Sequence, residues 1–202
     1  LIGEVERASV LLRSGARPGD RAFVTGGLGR AGAGRLVLEG VLDVPAEFQG
    51  DLLAAFRRPR ARVAEGQRLA STGGVTSAID ISDGLASDAL HLAEASGLDL
   101  ELVLDRLPVP DGVRRAIGGA AEDAARFAAS AGDDYELLFT VDAGRATEVA
   151  ARVRETTGTE VTDIGSVHPR HGSDPRVLWI DEQGSPVAEP PRGFDHFRKD
   201  GS

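Results

Sequence analysis

The sequence predicts a mixed β-sheet with helices packed on it, an α/β arrangement of the two-layer α+β kind. Three observations point there. Runs of alternating apolar side chains are interleaved with runs of helical period, which favours a sheet covered by helices. The runs are bounded by glycine, proline or acid-rich turns, with no long linker and no internal repeat. The 202 residues, 41% hydrophobic and 27% charged, suffice for one good core, or one core plus a small lobe.

The elements follow in order. The turn-rich RSGARPGD (13–20) leads into RAFVTGG, a short strand with Phe23 and Val24. LGRAGAGRLVLEG (28–40) is a helix ending at Gly40. AEFQGDLLAAFRR and PRARVAEGQRLAST are two further helices, separated at Pro59 because proline has no N–H to continue a helical ladder. TSAIDIS (76–82) is a strand, so Ala78, Asp80 and Ser82 share one face while Ile79 and Ile81 face the core. A helix over about 83–96 follows. Its apolar positions Leu85, Ala89, Leu92 and Ala93 recur with helical spacing, and Gly97 terminates it. LDLELVLDRL (98–107) is a strand and AAEDAARFAASAG (120–132) a helix stopped by Gly132. YELLFTVD is a strand, GRATEVAARVRETTG a helix, TEVTDIGSV a strand, and RVLWIDEQG a strand running into a turn. The tail from Pro186 is proline-rich and leads into GFDHF (193–197).

Composition excludes several function classes. A net charge of −9 argues against a nucleic-acid partner or an anionic membrane surface. No apolar stretch approaches the roughly 18 residues that a membrane span needs. With no cysteine there is no disulfide, thiolate nucleophile or thiolate metal site, and a reducing cytoplasm fits that usage. The four histidines, His91, His168, His171 and His196, do not cluster, so a serine hydrolase or a zinc hydrolase lacks parts.

The chemistry concentrates where the strand of 76–82 meets its helix. A structural joint needs one capping oxygen, yet Asp80, Ser82 and Asp83 offer a hydroxyl and two carboxylates. Ser82 or Asp83 can cap the helix, with Asp80 a surface charge. Alternatively the two carboxylates, which repel at such separation, hold a cation between them. Magnesium suits that arrangement, because it takes one or two protein carboxylates and fills its shell with water and substrate phosphates. On residue chemistry alone both accounts stand.

The other motifs are weaker. GLGRAG (27–32) after a strand matches the dinucleotide fingerprint, but neither a following parallel strand nor a ribose-binding acid is in place. A glycine-rich helix packed tightly on the sheet explains the same letters. RRPRAR (57–62) is read as a solvated helix boundary. AGDDYELLF (131–139) puts Asp133 and Asp134 at the mouth of a strand, as a polar turn or a ligand contact. In GFDHF, Phe194 or Phe197 either pins the tail to the core or offers a ring to a flat or cationic ligand.

Together RSGARPGD, VTGGLGRAGAG, AIDISDGLASDALHLAEASG, AGDDYELLFTV and GFDHF resemble the thiamine-monophosphate kinase family in order and spacing, over essentially the whole chain. The resemblance implies the C-terminal domain fold of the aminoimidazole ribonucleotide synthetase-like ATP-binding superfamily. It also implies phosphorylation of thiamine monophosphate to thiamine diphosphate with ATP and Mg2+. By resemblance Asp80 and Asp83 are magnesium ligands, Ser82 and Arg13 contact ATP, and no side chain is a catalytic acid or base. Asp133 stands where the family has a substrate-contacting Glu, and Phe194 where it has an aromatic residue packed on thiamine. Of the family's N-terminal Gly-Asp-Asp, Ser-Thr-Asp and Gly-Gly-Asp strings, the last two do not occur in this sequence, and its one Gly-Asp-Asp, at residues 132–134, belongs to the C-terminal AGDDYELLFTV motif. Residues 1–12 are therefore expected to be the end of an N-terminal ATP-binding domain and its linker, and residues 13–202 the C-terminal domain. That N-terminal domain is the expected partner, and the complete enzyme is expected to be a homodimer. Two alternatives remain: a non-catalytic lobe that binds a phosphorylated ligand or a partner, and a lobe of a related ATP-dependent synthetase.

Overall fold

The computed structural model describes residues 9–193. Its six-stranded sheet comprises β1 (Arg21–Thr25), β2 (Val75–Asp80), β3 (Asp99–Val103), β4 (Leu137–Val141), β5 (Val161–His168) and β6 (Val177–Ile180), in the order β2-β4-β1-β5-β3-β6. Neighbours are antiparallel except β3 and β6, which run parallel. Adjacent residues of a strand point to opposite faces, and the sequence supplies apolar side chains to both. Ala22, Val24, Leu138, Ile164 and Val167 enter a larger core, whereas Phe23, Phe139, Val141 and Val161 enter a smaller one. Phe23 and Phe139 are direct cross-strand partners whose rings stack at 5.6 Å between centroids, a pairing that pins the β1–β4 register.

Helices cover both faces unequally. α1 (Arg30–Leu38), α2 (Ala46–Arg57), α4 (Leu85–Ser96), α5 (Asp111–Ile117) and α6 (Ala121–Ser130) pack on the larger core through residues such as Ala33, Leu52, Leu92, Val113 and Ala128. α3 (Val63–Thr72) and α7 (Ala146–Thr157) cover the other face through Leu69 and the helical stripe Ala146, Val149 and Val153. The mixed sheet with helices packed on it is thus the fold. The second face, which a two-layer picture leaves open, carries this smaller helix pair.

Differences from the sequence expectation have local causes. α5 has only seven residues, too few for a periodic signal, although Pro110 before it and Arg114 and Arg115 near its end mark its bounds. β3 stops at Val103 because Leu104–Arg106 turn as a 3-10 helix. β4 begins at Leu137, two residues late, because Asp133 and Tyr135 carry left-handed φ values of 67° and 51° that interrupt a strand. Ile81 is fully buried and Ile79 packs on the same core, the face expected for both. Residues 9–12 precede the first turn, and the Ala78 N–H donates to the Leu12 carbonyl at 2.8 Å along the free edge of β2. Among the described residues no helix is long and apolar enough to cross a membrane.

Candidate active site

The site forms where two loops lie on each other. After β2 the chain runs through residues 81–84 into α4, and after α6 it crosses that joint as a strap over residues 131–136. The strap is stitched down by backbone bonds: Asp133 N–H to Ser82 O at 2.9 Å, Tyr135 N–H to Ile81 O at 2.9 Å, and Ile81 N–H to Glu136 O at 2.8 Å. The approach is too close for side chains. A Cβ on Gly132 would lie 2.5 Å from Ser82 O, and one on Gly84 would lie 2.8 Å from Ser130 O. Two non-glycine residues in the left-handed region cost on the order of 1–3 kcal/mol each, a strain the surrounding bonds must offset.

Helix capping does not account for the surplus oxygens. The N-cap of α4 is Gly84, and no side chain there accepts a hydrogen bond. Instead Asp88, inside the first turn and buried, turns back so that its Oδ2 accepts the N–H groups of Ser82 at 2.9 Å and Asp83 at 3.0 Å. Burial pushes the Asp88 carboxyl above its ordinary value, the Asp83 and Ser82 N–H groups pull it back, and the Asp83 charge pushes it further up. Sequence reasoning misses Asp88, although it sits inside SDGLASD at the spacing that allows this reach.

Ser82, Asp83 and Asp133 line one cavity of about 480 Å³ together with Arg35, Phe127 and Ser130. Asp80 and Arg13 line a neighbouring groove of about 400 Å³ with Leu12 and Ile79. Phe194 lies outside the described residues. The last described residue, Gly193, abuts the first turn of α4, where a Cβ would lie 2.6 Å from Ser87 Oγ. The acids of both pockets are felt at Tyr135, whose hydroxyl donates to Asp133 Oδ1 at 3.3 Å. The Asp133 charge, burial, that hydrogen bond, and the Asp80 and Asp83 charges all push the phenol above its ordinary value. Among the described residues no group of three or more His, Cys, Asp or Glu is gathered that could enclose a metal. The acids therefore fit magnesium only as a partial set, of the kind that substrate phosphates and water complete.

Two further acids of the strap draw no site role in the sequence, Asp134 standing as turn polarity and Glu136 inside the expected strand YELLFTVD. Asp134 turns away from the cavity and accepts the N–H groups of Gly29 at 2.5 Å and Ala31 at 3.1 Å. The donors of the GLGRAG fingerprint thus serve an internal carboxylate. The small residues of α1 are explained by helix packing rather than by the sheet: Ala31 and Ala33 are buried, and Gly34 abuts the Leu52 carbonyl of α2. Glu136 is buried, and Arg62 clamps it from both sides, Nε to Oε2 at 2.6 Å and Nη2 to Oε1 at 2.5 Å. Thr25 Oγ1 also donates to Glu136 at 2.6 Å, and Arg62 Nη1 reaches Glu65 at 3.1 Å and Thr159 at 3.2 Å. RRPRAR is therefore not simply a solvated boundary. Its last arginine, with 7% of its side chain exposed, is the cation of a buried network, a role that four arginines in six residues conceal.

The fold and site define a class: an α+β domain with an acid-lined cavity where the joint after β2 meets the strap. The chain belongs to the family AIR synthase related protein, C-terminal domain, whose model matches residues 17–177. Thiamine-monophosphate kinase of Salmonella typhimurium is 36% identical over 196 residues, covering 96% of this chain and 58% of that protein. The Escherichia coli K12 thiamine-monophosphate kinase is 38% identical with the same coverage. Among solved structures, thiamine-monophosphate kinase from Stenotrophomonas maltophilia superposes with a TM-score of 0.76 at 31% identity, covering 91% of this chain and 56% of that one. AaThiL complexed with AMPPCP and TMP superposes with a TM-score of 0.70 at 30% identity, covering 93% and 54%. The chain therefore spans less than two thirds of the relatives it matches.

Proposed function

We propose that the chain is the C-terminal lobe of an ATP- and magnesium-dependent kinase that converts thiamine monophosphate to thiamine diphosphate. One observation carries this: the strap gathers Ser82, Asp83 and Asp133 onto one cavity, in a chain similar over 96% of its length to thiamine-monophosphate kinases. Asp80 and Asp83 would hold magnesium, which supplies neutralisation of phosphate charge. Ser82 and Arg13 contact ATP, and Asp133 contacts the acceptor. Phe194 offers its ring to the thiazolium cation, a role supported by the approach of Gly193 to Ser87. The acceptor phosphate oxygen is already anionic, so the transfer needs positioning and charge neutralisation rather than a general base. Residues 1–12 join the lobe to an N-terminal half that completes the nucleotide site, and the complete enzyme is a cytoplasmic homodimer.

Joined to the N-terminal half of a relative, the chain is expected to form thiamine diphosphate from thiamine monophosphate only with ATP and magnesium present. Asp80→Asn and Asp83→Asn should each weaken magnesium-dependent nucleotide binding about tenfold or more, with unchanged circular dichroism. A second readout needs no turnover. Tyr135 is the chain's sole tyrosine, so magnesium at these acids should shift its phenol absorbance titration to lower pH. Wild-type nucleotide affinity in both variants, together with an unmoved phenol, would overturn the metal assignment. Binding of thiamine monophosphate without turnover by the joined protein would instead support a non-catalytic lobe.

A further inference from the structure

The chain devotes two carboxylates to holding backbone rather than ligand: Asp88 grips the strand-to-helix joint, and Asp134 grips the first turn of α1. Asp88 acts on the residues just ahead of its own helix. Asp134 bridges elements more than a hundred residues apart and sits beside the acid that reaches into the cavity. Its neighbour Asp133 lies on the cavity wall, and Tyr135 on its other side donates to Asp133, so one set of backbone torsions places all three. Those torsions are left-handed at Asp133 and Tyr135, a conformation that relaxes unless it is tied down. On one side the strap is tied by its backbone bonds to Ser82 and Ile81. On the other, the tie next to Asp133 is the Asp134 carboxylate on the Gly29 and Ala31 N–H groups.

We propose that Asp134 is a positioning residue for the acceptor side of the site: by occupying the N–H groups of the first turn of α1, it locks the strap in the shape that presents Asp133 to the cavity. The assignment of the cavity to the acceptor rests on the kinase reading; the locking of the strap does not.

This lock responds to protons. Burial pushes the Asp134 carboxyl up to about 7, although the Gly29 and Ala31 N–H groups pull it down; the Glu136 charge adds to the rise and Arg30 opposes it. The charged groups around it are accounted for. Arg30 of α1 pairs with Asp51 of α2 at 3.5 Å, and Glu136 on the strap is held by Arg62. Arg58 and Arg60, from the α2–α3 connection, line the same cleft, and Asp133 lies on the cavity side. Protonation weakens the carboxylate as an acceptor for two N–H donors, so the strap should loosen as pH falls through that value. Between pH 8 and pH 6 the ionised fraction drops from roughly nine tenths to roughly one tenth.

Hydrogen–deuterium exchange on the 202-residue chain tests this directly, with rates corrected for intrinsic pH dependence. In the wild type, protection of segments 27–33 and 131–137 should fall about fivefold or more from pH 8 to pH 6, while β5 and α7 hold steady. Asp134→Asn, which keeps one acceptor and cannot titrate, should make protection of both segments independent of pH over that range. Constant wild-type protection from pH 8 to pH 6 would overturn the proposal, and that arm needs no variant to fold. So would an Asp134→Asn chain that retains the full pH response. In the joined enzyme, thiamine monophosphate affinity should weaken with the same pH dependence in the wild type and lose it in Asp134→Asn. Where the strap responds to pH but the joined enzyme does not bind thiamine monophosphate, the lock stands and the acceptor reading falls.

Discussion

The joint of residues 80–84 and the strap of residues 131–136 meet in one site but are restrained differently. Beyond the backbone bonds that the two loops share, the joint is held from within its own sequence neighbourhood, by Asp88 five and six residues on. The strap is held from afar: Asp134 reaches α1, and Glu136 reaches Thr25 on β1 and Arg62 beside α3. Local restraint survives wherever the helix survives. Long-range restraint needs the whole sheet and both helix layers in place, so the strap should be the more fragile half of the site.

Cutting the strap's deepest tie should have the largest effect. Arg62→Ala would leave Glu136 and Glu65, with 3% and 2% of their side chains exposed, as uncompensated buried charges. The loss should be about 3–5 kcal/mol in denaturant unfolding. Burial opposes the Arg62 charge, but hydrogen bonds and charges from Glu136 and Glu65 raise its pKa overall. Burial likewise opposes ionisation of Glu65, yet the Thr159 hydroxyl, its own backbone N–H and Arg62 hold it below the ordinary carboxylate range. A folded value below the unfolded one means that this stability is present above the ordinary carboxylate pKa. It is lost as pH falls through the depressed value, so wild type and Arg62→Ala should converge in strongly acidic solution. A loss below about 1 kcal/mol at neutral pH, the size of a surface pair, would show that the strap is anchored elsewhere.

The same contrast separates what was legible in the sequence from what was not. Asp80, Ser82 and Asp83 could be read because strand alternation and a helix start fix their relative placement within a few residues. The sheet with its helices was legible for the same reason: Leu85, Ala89, Leu92 and Ala93 carry a period that survives without tertiary knowledge. Asp134, Glu136 and Arg62 could not be read. A short acid in DDYE and an arginine in RRPRAR look solvated until the fold brings partners separated by some hundred residues against them. The left-handed torsions at Asp133 and Tyr135 were hidden too, since neither residue is the glycine that marks such positions.

A smaller effect is expected at the joint. Asp88→Ala removes the acceptor of two backbone N–H groups beneath Ser82 and Asp83 and should cost about 1–3 kcal/mol. Asp88→Asn keeps one acceptor and should cost less. In the joined enzyme, Asp88→Ala should weaken nucleotide binding while leaving thiamine monophosphate binding closer to wild type, because the strap keeps its own ties. Equal loss of both ligands would mean that the two loops move as one unit, and the local-versus-distant contrast would fail.

The smallest effect belongs to the one side-chain tie within the strap. Tyr135→Phe deletes the 3.3 Å hydrogen bond to Asp133 Oδ1 and leaves every backbone bond of the strap untouched. The bond is long and its residues are exposed, so the cost should be about 0.5 kcal/mol or less. If the backbone stitches and Asp134 set the left-handed torsions, the Tyr135→Phe chain will keep them, and hydrogen exchange across segment 131–137 will match wild type. Loss of protection there approaching that of Arg62→Ala would shift the restraint from the distant partners to the strap's own side chains. The strap would then be as locally built as the joint it covers.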